Sequence, residues 1–553
     1  MKARTIALLS DALARAVADG LLVTATYPPG ATLATPRERS HGDLASNLAL
    51  VLAKSEKKSP RDIAAILAAR LPKPGGDIEQ IEVAGPGFLN ITLSSGFWYR
   101  QLAAFDVDPA LGIKQADPGR RVQVEFVSAN PTGPLTVGHG RNAVLGDSVA
   151  RVLEAVGHAV EREYYFNNAG RQMKVLGASV EARYREARGR ESAFPEDGYQ
   201  GAYITEIGRQ LAEKHGDELL EGVHSAFRDA AEVAIFADIR TTLDRLAIGF
   251  DQYFNEDTLY SSGAVQQTLK DLESLGLVER REGAVWLLGE RVGLAKDRVL
   301  VKSSGEPAYR LPDIAYHRNK IARGYDEIVD VLGADHIDES REVRAALLAL
   351  GHPADIVRPV IYQFVTLTRH GEQVKMSTRR AEYVTLDDLV EEVGVDAVRF
   401  FFLSRKSDTH LEFDLELAKK QSTDNPVYYV QYAHARISNL NARLKVEGVL
   451  PPEEGVSASD LSVLVEPEEL ELIKSLVAYP QIVAGAAAEL EPHRVVFYLH
   501  ELAATLHRFY NEHRLLGDEQ AARLRARLVL LRVVQRVLRH GLGLLGVGAP
   551  ERM

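Results

Sequence analysis

Apolar and polar positions recur with two periods along the chain, and the changes of period mark its elements. Ile6, Leu9, Leu13 and Val17 recur at helical spacing with Asp11, Arg15 and Asp19 between them, which predicts an amphipathic first helix. A turn at Pro28-Pro29-Gly30 and the polar stretch Arg39 to Asn47 follow, then a helix over Arg61–Leu71 and strands over Ile78–Val83 and Phe88–Leu93. Together these predict a small α+β unit over residues 1–115, with the segment from Asp106 to Gly119 and its two Asp-Pro pairs as a linker. An alternating run from Gln123 then stops at Asn130-Pro-Thr-Gly-Pro134, and a helical pattern begins near Gly138. Strands over Val160–Tyr165, Ala284–Leu288, Val299–Lys302, Ile328–Leu332 and Val360–Leu367 alternate with helical stretches. This alternation predicts a parallel α/β sheet over residues 116–414. The stretch from Asp217 to Leu246 is helical with few strand signals and reads as part of an insertion between two halves of that sheet, spanning about residues 175–295. From residue 415 to 553 the pattern is helical apart from one loop, Gly448 to Ser459. The expected fold class is α/β: a parallel-sheet core with an insertion, a small N-terminal α+β domain and an all-α C-terminal bundle.

Composition narrows the function. At 553 residues the chain exceeds what one core holds. Zero cysteines exclude disulfides and thiolate zinc sites, and no His-Glu-x-x-His occurs, so no bound metal is expected. The charges within the first helix distinguish it from a secretory signal, and no apolar run reaches membrane-spanning length; a cytoplasmic protein with no membrane partner is the expectation. A formal charge of −11 argues against indiscriminate coating of nucleic acid, though a local basic face would still bind it.

Four places carry candidate chemistry. At the strand-to-helix turn, Gly138, His139, Gly140 and Arg141 bring backbone N–H groups, a helix dipole and an imidazole to one spot, which suits phosphate. The ordinary alternative is a capped turn, and neither a Walker loop nor a dinucleotide glycine fingerprint is present. Phe88 and Asn90 share one strand face, where a ring and an amide suit an unstacked base, or merely leave a turn. The polar loop Arg369 to Arg380 offers Lys375 as a reaching cation, or is simply solvated. Tyr428, Tyr429, Tyr432, Phe509 and Tyr510, with Arg523, Arg527, Arg532, Arg536 and Arg539 on the last helix, suit a single-stranded nucleic-acid loop. The alternative there is a face of snorkelling arginines on a bundle.

In combination the motifs are more specific. Glu125-Phe-Val-Ser-Ala-Asn-Pro-Thr-Gly-Pro-Leu-Thr-Val-Gly-His-Gly-Arg141, Asp313-Ile-Ala-Tyr-His317, Lys375-Met-Ser377, Asn425-Pro-Val-Tyr-Tyr-Val-Gln-Tyr-Ala-His-Ala-Arg436 and Ala549-Pro-Glu-Arg-Met553 occur in the order seen in arginyl-tRNA synthetases, and the whole chain resembles that family. The resemblance implies a class I aminoacyl-tRNA synthetase with a Rossmann-type core, a connective insertion, a tRNA-elbow domain and a helical anticodon-binding domain. It implies ATP, with Mg2+ on its phosphates and no zinc, L-arginine and tRNA as partners, and a monomer. Thr136, Gly138, His139, Gly140, Lys375, Met376 and Ser377 then hold ATP, with Thr136, Gly138, His139 and Lys375 serving the chemistry. Glu125, Ser128, Asn130, Tyr309, Asp313 and His336 hold arginine, Tyr309 and Asp313 lying on one helix face. Phe88, Asn90, Tyr432, Tyr510 and Met553 touch tRNA. Three positions depart from the family pattern: Thr136 stands at the first His of His-x-Gly-His, Thr378-Arg379 ends the second signature, and Asn168 occupies a place where the family often has an acid. A non-catalytic tRNA-binding relative is the alternative reading; the retained Glu125, His139, Asp313 and Lys375 argue against it.

Overall fold

The strand Arg121–Glu125 forms the middle of a five-stranded sheet and buries four of its five side chains. Parallel neighbours on both edges and helices on both faces leave it no solvent side, so the polar Gln123 and Glu125 are buried along with Val122 and Val124 despite the alternating sequence. The structure, a computed structural model, describes all residues except 1, 37, 73–75, 169, 223, 375–383, 449–452, 454 and 516–520. The sheet order is Val357–Tyr362, Glu327–Gly333, Arg121–Glu125, Ala159–Phe166, Gln252–Asn255, with every pairing parallel. The chain first builds outward on one side of Arg121–Glu125 and later returns on the other. This reversal opens a crevice beyond the carboxyl ends of Arg121–Glu125 and Glu327–Gly333, where such sheets take ligands.

Consecutive residues of Ala159–Phe166 show the two covered faces. Tyr164 packs on Phe236 of the helix Ala226–Arg245, and Tyr165 packs on Tyr316 of the helix Arg310–Ala322. The helix Val137–Ala155 packs so closely on the sheet that a Cβ at Gly146 would meet Phe126 Cγ at 2.2 Å. Two expectations need correction. Gln252–Asn255 is the edge strand of the main sheet, so residues 175–295 are not one insertion. The excursion divides into the helices Gly170–Ala187, Ala202–His215 and Ala226–Arg245, and a later unit with a three-stranded antiparallel sheet, Val278–Arg281, Ala284–Leu287 and Arg298–Val301. The run expected as one strand over Val360–Leu367 is two strands in different sheets. Val357–Tyr362 ends where the Gln363 carbonyl turns aside to accept from Arg141 Nη1 at 2.5 Å, and Val365–Arg369 pairs in parallel with Leu411–Asp414.

The N-terminal unit is a four-stranded antiparallel sheet, Leu33–Ala34, Leu44–Ser46, Phe88–Leu93 and Ile78–Ala84 in that order, backed by helices. The C-terminal region contains the helices Pro426–Val446, Pro467–Glu489, His493–Glu512 and Ala521–Leu544. Three of the five arginines expected on a solvated basic face of the last helix, Arg527, Arg532 and Arg536, are turned inward instead, whereas Arg539 is exposed. Arg527 is buried against Glu469 at 2.6 Å, Arg532 grips the Asp106 carboxylate with two bonds of 2.8 Å, and Arg536 donates to the carbonyls of Phe105, Asp106 and Asp108. Asp106, expected in a linker, is instead buried within the helix Ser95–Val107, where it docks the N-terminal unit onto the bundle. Arg399 makes a second junction: fully buried, it donates to Asp147 of the helix Val137–Ala155, to Leu246 O at 2.8 Å and to Leu545 O at 2.8 Å.

Asp106→Asn should lower stability by about 1.5–3 kcal/mol, the range for a hydrogen bond to a charged group, and should speed proteolytic cleavage around residues 107–119. Urea unfolding combined with limited proteolysis checks both; an unchanged digestion pattern would show that the bond does not hold the two units together.

Candidate active site

The first half of the site is the entry of the helix Val137–Ala155. Thr136 is its N-cap, and His139 completes a reciprocal capping box: the Thr136 N–H donates to His139 Nδ1 at 3.2 Å, and the His139 N–H donates to Thr136 Oγ1 at 3.5 Å. Nδ1 is therefore an acceptor, so the neutral ring carries its proton on Nε2. Burial lowers the imidazole pKa below its ordinary value and favours this neutral form. The Thr136 hydroxyl serves the cap, within 3.2 Å of Nδ1. Gly140 is required by packing, since a Cβ would strike Leu386 Cδ1 at 2.5 Å, whereas a Cβ at Gly138 would meet nothing nearer than 3.7 Å. Among the described residues, nothing else closes the space beside Gly138. Lys375, Met376 and Ser377 lie outside the described residues, as do Thr378 and Arg379. Thr385, however, bridges Thr136, and Leu386 N donates to Leu135 O at 2.8 Å, so the chain that follows residue 383 returns beside this helix entry.

The second half is the cleft at the reversal of the sheet, lined by Glu125, Tyr165, Asp313, His317, His336 and Glu339 among others. Glu125 and Asp330 face each other as register partners on adjacent strands. Between them lies Lys320, fully buried, donating to Glu125 and, at 2.6 Å, to Asp330 Oδ1. Ser128 Oγ donates to Glu125 Oε1 at 2.8 Å and accepts from Tyr165 N–H at 3.2 Å. This contact needs a sharp backbone reversal. Val127 and Ser128 both have positive φ, 65° and 44°, and Ser128 N donates to Phe126 O at 2.9 Å. Positive φ at a β-branched residue is strained, and the Asn142 side chain holds it by accepting from Val127 N–H at 2.6 Å.

Burial raises Asp313 to a pKa of about 8, and the nearby carboxylates of Glu339, Glu256 and Glu125 add to the rise although His317 opposes it. His336 is raised by its hydrogen bond with Glu339, at 3.1 Å. The cleft thus concentrates acids, and among the described residues Asp313 makes no salt bridge, with His317 and His336 acting on it through space.

Tyr309 departs from the shared face expected of it. It is 72% exposed at the N-cap of Arg310–Ala322, and lines a neighbouring cavity with Asn130, Gln172, Tyr199, Glu256 and Tyr260. The partition between the two cavities includes Tyr165 Oη, which donates to Glu256 Oε2 at 2.5 Å. Asn130 is fixed there by Gln172 at 3.0 Å and by Asn167 N–H at 3.0 Å.

Comparison with known proteins gives a consistent result. The profile of the "tRNA synthetases class I (R), catalytic domain" matches residues 104–439, that of the "Arginyl tRNA synthetase N terminal domain" residues 4–93, and that of the "DALR anticodon binding domain" residues 430–553. The chain belongs to the arginyl-tRNA synthetase family. It is 49% identical to the arginine–tRNA ligase of Desulfotalea psychrophila over 94% of each chain, and 44% identical to that of Geobacter sp. strain M21 over 100% of each. The fold is that of the Thermus thermophilus arginyl-tRNA synthetase, with a TM-score of 0.74 at 24% identity over 99% of each chain.

Within this synthetase the residues expected to touch tRNA fall in two places. Phe88 is 37% exposed on the N-terminal sheet, while Asn90, on the same face, is buried. Tyr432 and Tyr510 meet through two intermediates: Tyr432 stacks on His507 with centroids 5.5 Å apart, Arg436 Nη1 lies 3.4 Å from His507 Nδ1, and the Arg436 guanidinium sits 4.3 Å above the Tyr510 ring. The tail crosses the same helix, with His434 Nδ1 2.8 Å from Pro550 O and Gln431 donating to Gly548 O at 2.9 Å, and leaves Met553 46% exposed. Asn168 donates to Glu232 of the helix Ala226–Arg245 at 2.8 Å, an exchange that an acid at 168 could not make unless protonated. Sequence reasoning missed Tyr165, Glu256, His317, Lys320, Asp330 and Glu339. Of these, His317 and Lys320 stood four and seven residues past Asp313, at helical spacing on its face.

Thr136→Val should cost roughly 0.5–2 kcal/mol through loss of the hydroxyl cap, while the backbone N–H at 136 should keep His139 Nδ1 an acceptor. Thermal unfolding together with the imidazole NMR signals, which report the Nε2–H tautomer, checks it.

Proposed function

We propose that this arginine–tRNA ligase binds the guanidinium of L-arginine at Asp313 and the α-ammonium at Glu125, with Ser128, Asn130, Tyr309 and His336 completing the pocket. The supporting observation is the cleft itself, in which Asp313 lies half-buried among like charges and, among the described residues, makes no salt bridge. A planar fork of N–H donors resolves that conflict. Lysine brings the charge without the fork and leaves acceptors unpaired.

ATP lies with its phosphates at the open helix entry beside Gly138. Magnesium arrives with the nucleotide phosphates and shares their negative charge. The arginine carboxylate oxygen attacks the α-phosphorus in line, the bond to the bridging oxygen breaks, and pyrophosphate leaves. His139, held by Thr136 with Nε2–H outward, donates to the phosphate oxygens as charge grows on them. In the second step a hydroxyl of the terminal ribose of tRNA attacks the arginyl carbonyl and AMP leaves. Phe88 and Asn90 meet the body of the tRNA, and Tyr432, Tyr510 and Met553 its anticodon loop. We also take the enzyme to work in the cytoplasm as a monomer.

The first step is taken to require bound tRNA. ATP–pyrophosphate exchange measured with each standard amino acid, with and without tRNA, should occur with arginine alone and only when tRNA is present. Exchange with a different amino acid would overturn the substrate; arginine exchange without tRNA would overturn only the requirement. His139→Ala should slow adenylate formation by roughly 100-fold or more and leave tRNA binding nearly intact.

The Asp313 pKa adds a pH signature. With the free carboxyl protonated below about 8 and the guanidinium favouring the carboxylate, arginine binding expels a proton. Affinity should therefore rise with pH and level off above about 8. Calorimetry in two buffers of different ionisation heat detects the proton, and Asp313→Asn should abolish the release and weaken arginine by about 1.5–3 kcal/mol.

A further inference from the structure

Lys320 sits in none of the motifs that identify the family, yet its ammonium is the fully buried cation of the cleft floor. It donates to Glu125 Oε2 and to Asp330 Oδ1, and lies 4.4 Å from the Tyr316 ring centroid. Burial alone would favour its neutral form, but Asp330 and Glu125 together raise its pKa and keep it charged. Asp330 is also held by His317 Nε2, 2.9 Å from Oδ2, and is itself strongly favoured as a carboxylate despite its burial.

The two acids differ in the charge of their donors. Asp330, which lines the cleft beside Glu125, receives Lys320 on Oδ1 and, on Oδ2, His317, whose charged form it favours. Glu125 receives one donor on each oxygen, from Ser128 and Lys320, and a carboxylate accepts about four hydrogen bonds. Two lone-pair positions of Glu125 remain at the mouth of the cleft.

We propose that Lys320 is a positioning residue for substrate binding. It neutralises the Asp330 side of the carboxylate pair and fixes the Glu125 carboxylate as a singly charged, oriented acceptor for the α-ammonium of arginine. This rests on the reading of the cleft given above. Without Lys320, two carboxylates on neighbouring strands would face each other with one cation removed, and they would retain a shared proton that blocks the ammonium.

The test uses the full chain with tRNA and measures KM for arginine and for ATP and kcat in Glu125→Gln, Lys320→Met, Lys320→Met/Asp330→Asn and Lys320→Met/Glu125→Gln, with circular dichroism as the check on folding. Lys320→Met should raise the arginine KM on the order of 10- to 100-fold, the effect of one hydrogen bond to a charged group, with much smaller changes in the ATP KM and kcat. Adding Asp330→Asn, which removes the surplus charge, should bring the arginine KM back towards that of the unaltered chain. Adding Glu125→Gln, which restores the same charge balance, should not. Equal recovery in both double variants, or equal changes in the two KM values, would reduce Lys320 to a structural counter-ion. If Lys320→Met fails to fold, the comparison of the two double variants decides alone. A Glu125→Gln chain with an unchanged arginine KM would overturn the cleft assignment itself, and Lys320 with it, whereas a weakened Glu125→Gln beside an unaffected Lys320→Met would overturn this inference only.

Discussion

A single guanidinium ties the helix Val137–Ala155 to two other parts of the chain. Arg399 has no water to solvate it, so each of its donors needs a protein acceptor. It finds Asp147 on the helix whose first turn carries His139, the carbonyl of Leu246 just past the insertion helix, and the carbonyl of Leu545 just past the last helix of the bundle. The cost of leaving any of those donors unmatched is what holds the three segments in one relation. Gly546 shows how tightly: at φ 65° a Cβ there would lie 2.2 Å from the guanidinium carbon. The chain segment that continues from Leu545 is the one that crosses Gln431 and His434, beside Tyr432, and ends at Met553. One buried side chain thus connects the entry helix of the nucleotide side with the tail of the anticodon-binding domain.

The same logic explains why Arg527, Arg532 and Arg536 of the last helix turn inward rather than to solvent. A row of arginines beside apolar residues satisfies two descriptions equally well, an RNA surface or a docking surface, because spacing reports which face a side chain occupies and not what lies opposite. The decisive partner, Asp106, is 426 residues away from Arg532. Local pattern fails for the insertion for a related reason. Gln252–Asn255 is four residues long, lies at a sheet edge, and contains two aromatic residues that pack on opposite faces, so no alternation stood out from its helical surroundings.

What was legible came from stretches where chemistry and backbone geometry coincide. The strand-turn-helix around Thr136 and His139, the acids Glu125 and Asp313, and the helical C-terminal half all follow from runs of neighbouring residues. The site's remaining groups are supplied by separate strands and helices that meet only in the folded chain: Tyr165 from one, Asp330 from a second, Glu256 from beyond a third and Glu339 from a helix. Thr136 illustrates the limit. It stands where the class signature has a histidine, and the structure gives its hydroxyl work within the helix itself, capping the His139 N–H.

The acidic cleft has a physical consequence for selectivity. In the absence of arginine, Asp313 is pushed towards its neutral form by burial and by Glu339, Glu256 and Glu125, so the empty pocket avoids part of the repulsion by keeping a proton. A ligand must therefore displace a proton and then offset a desolvated carboxylate. A neutral side chain does neither, and an ammonium supplies charge at one point while leaving planar acceptors unmatched. Only a guanidinium supplies enough directed donors to make the ionised state the favoured one. On the proposed assignment of the cleft, rejection of other amino acids begins in its electrostatics, before any contact to the rest of the substrate is considered.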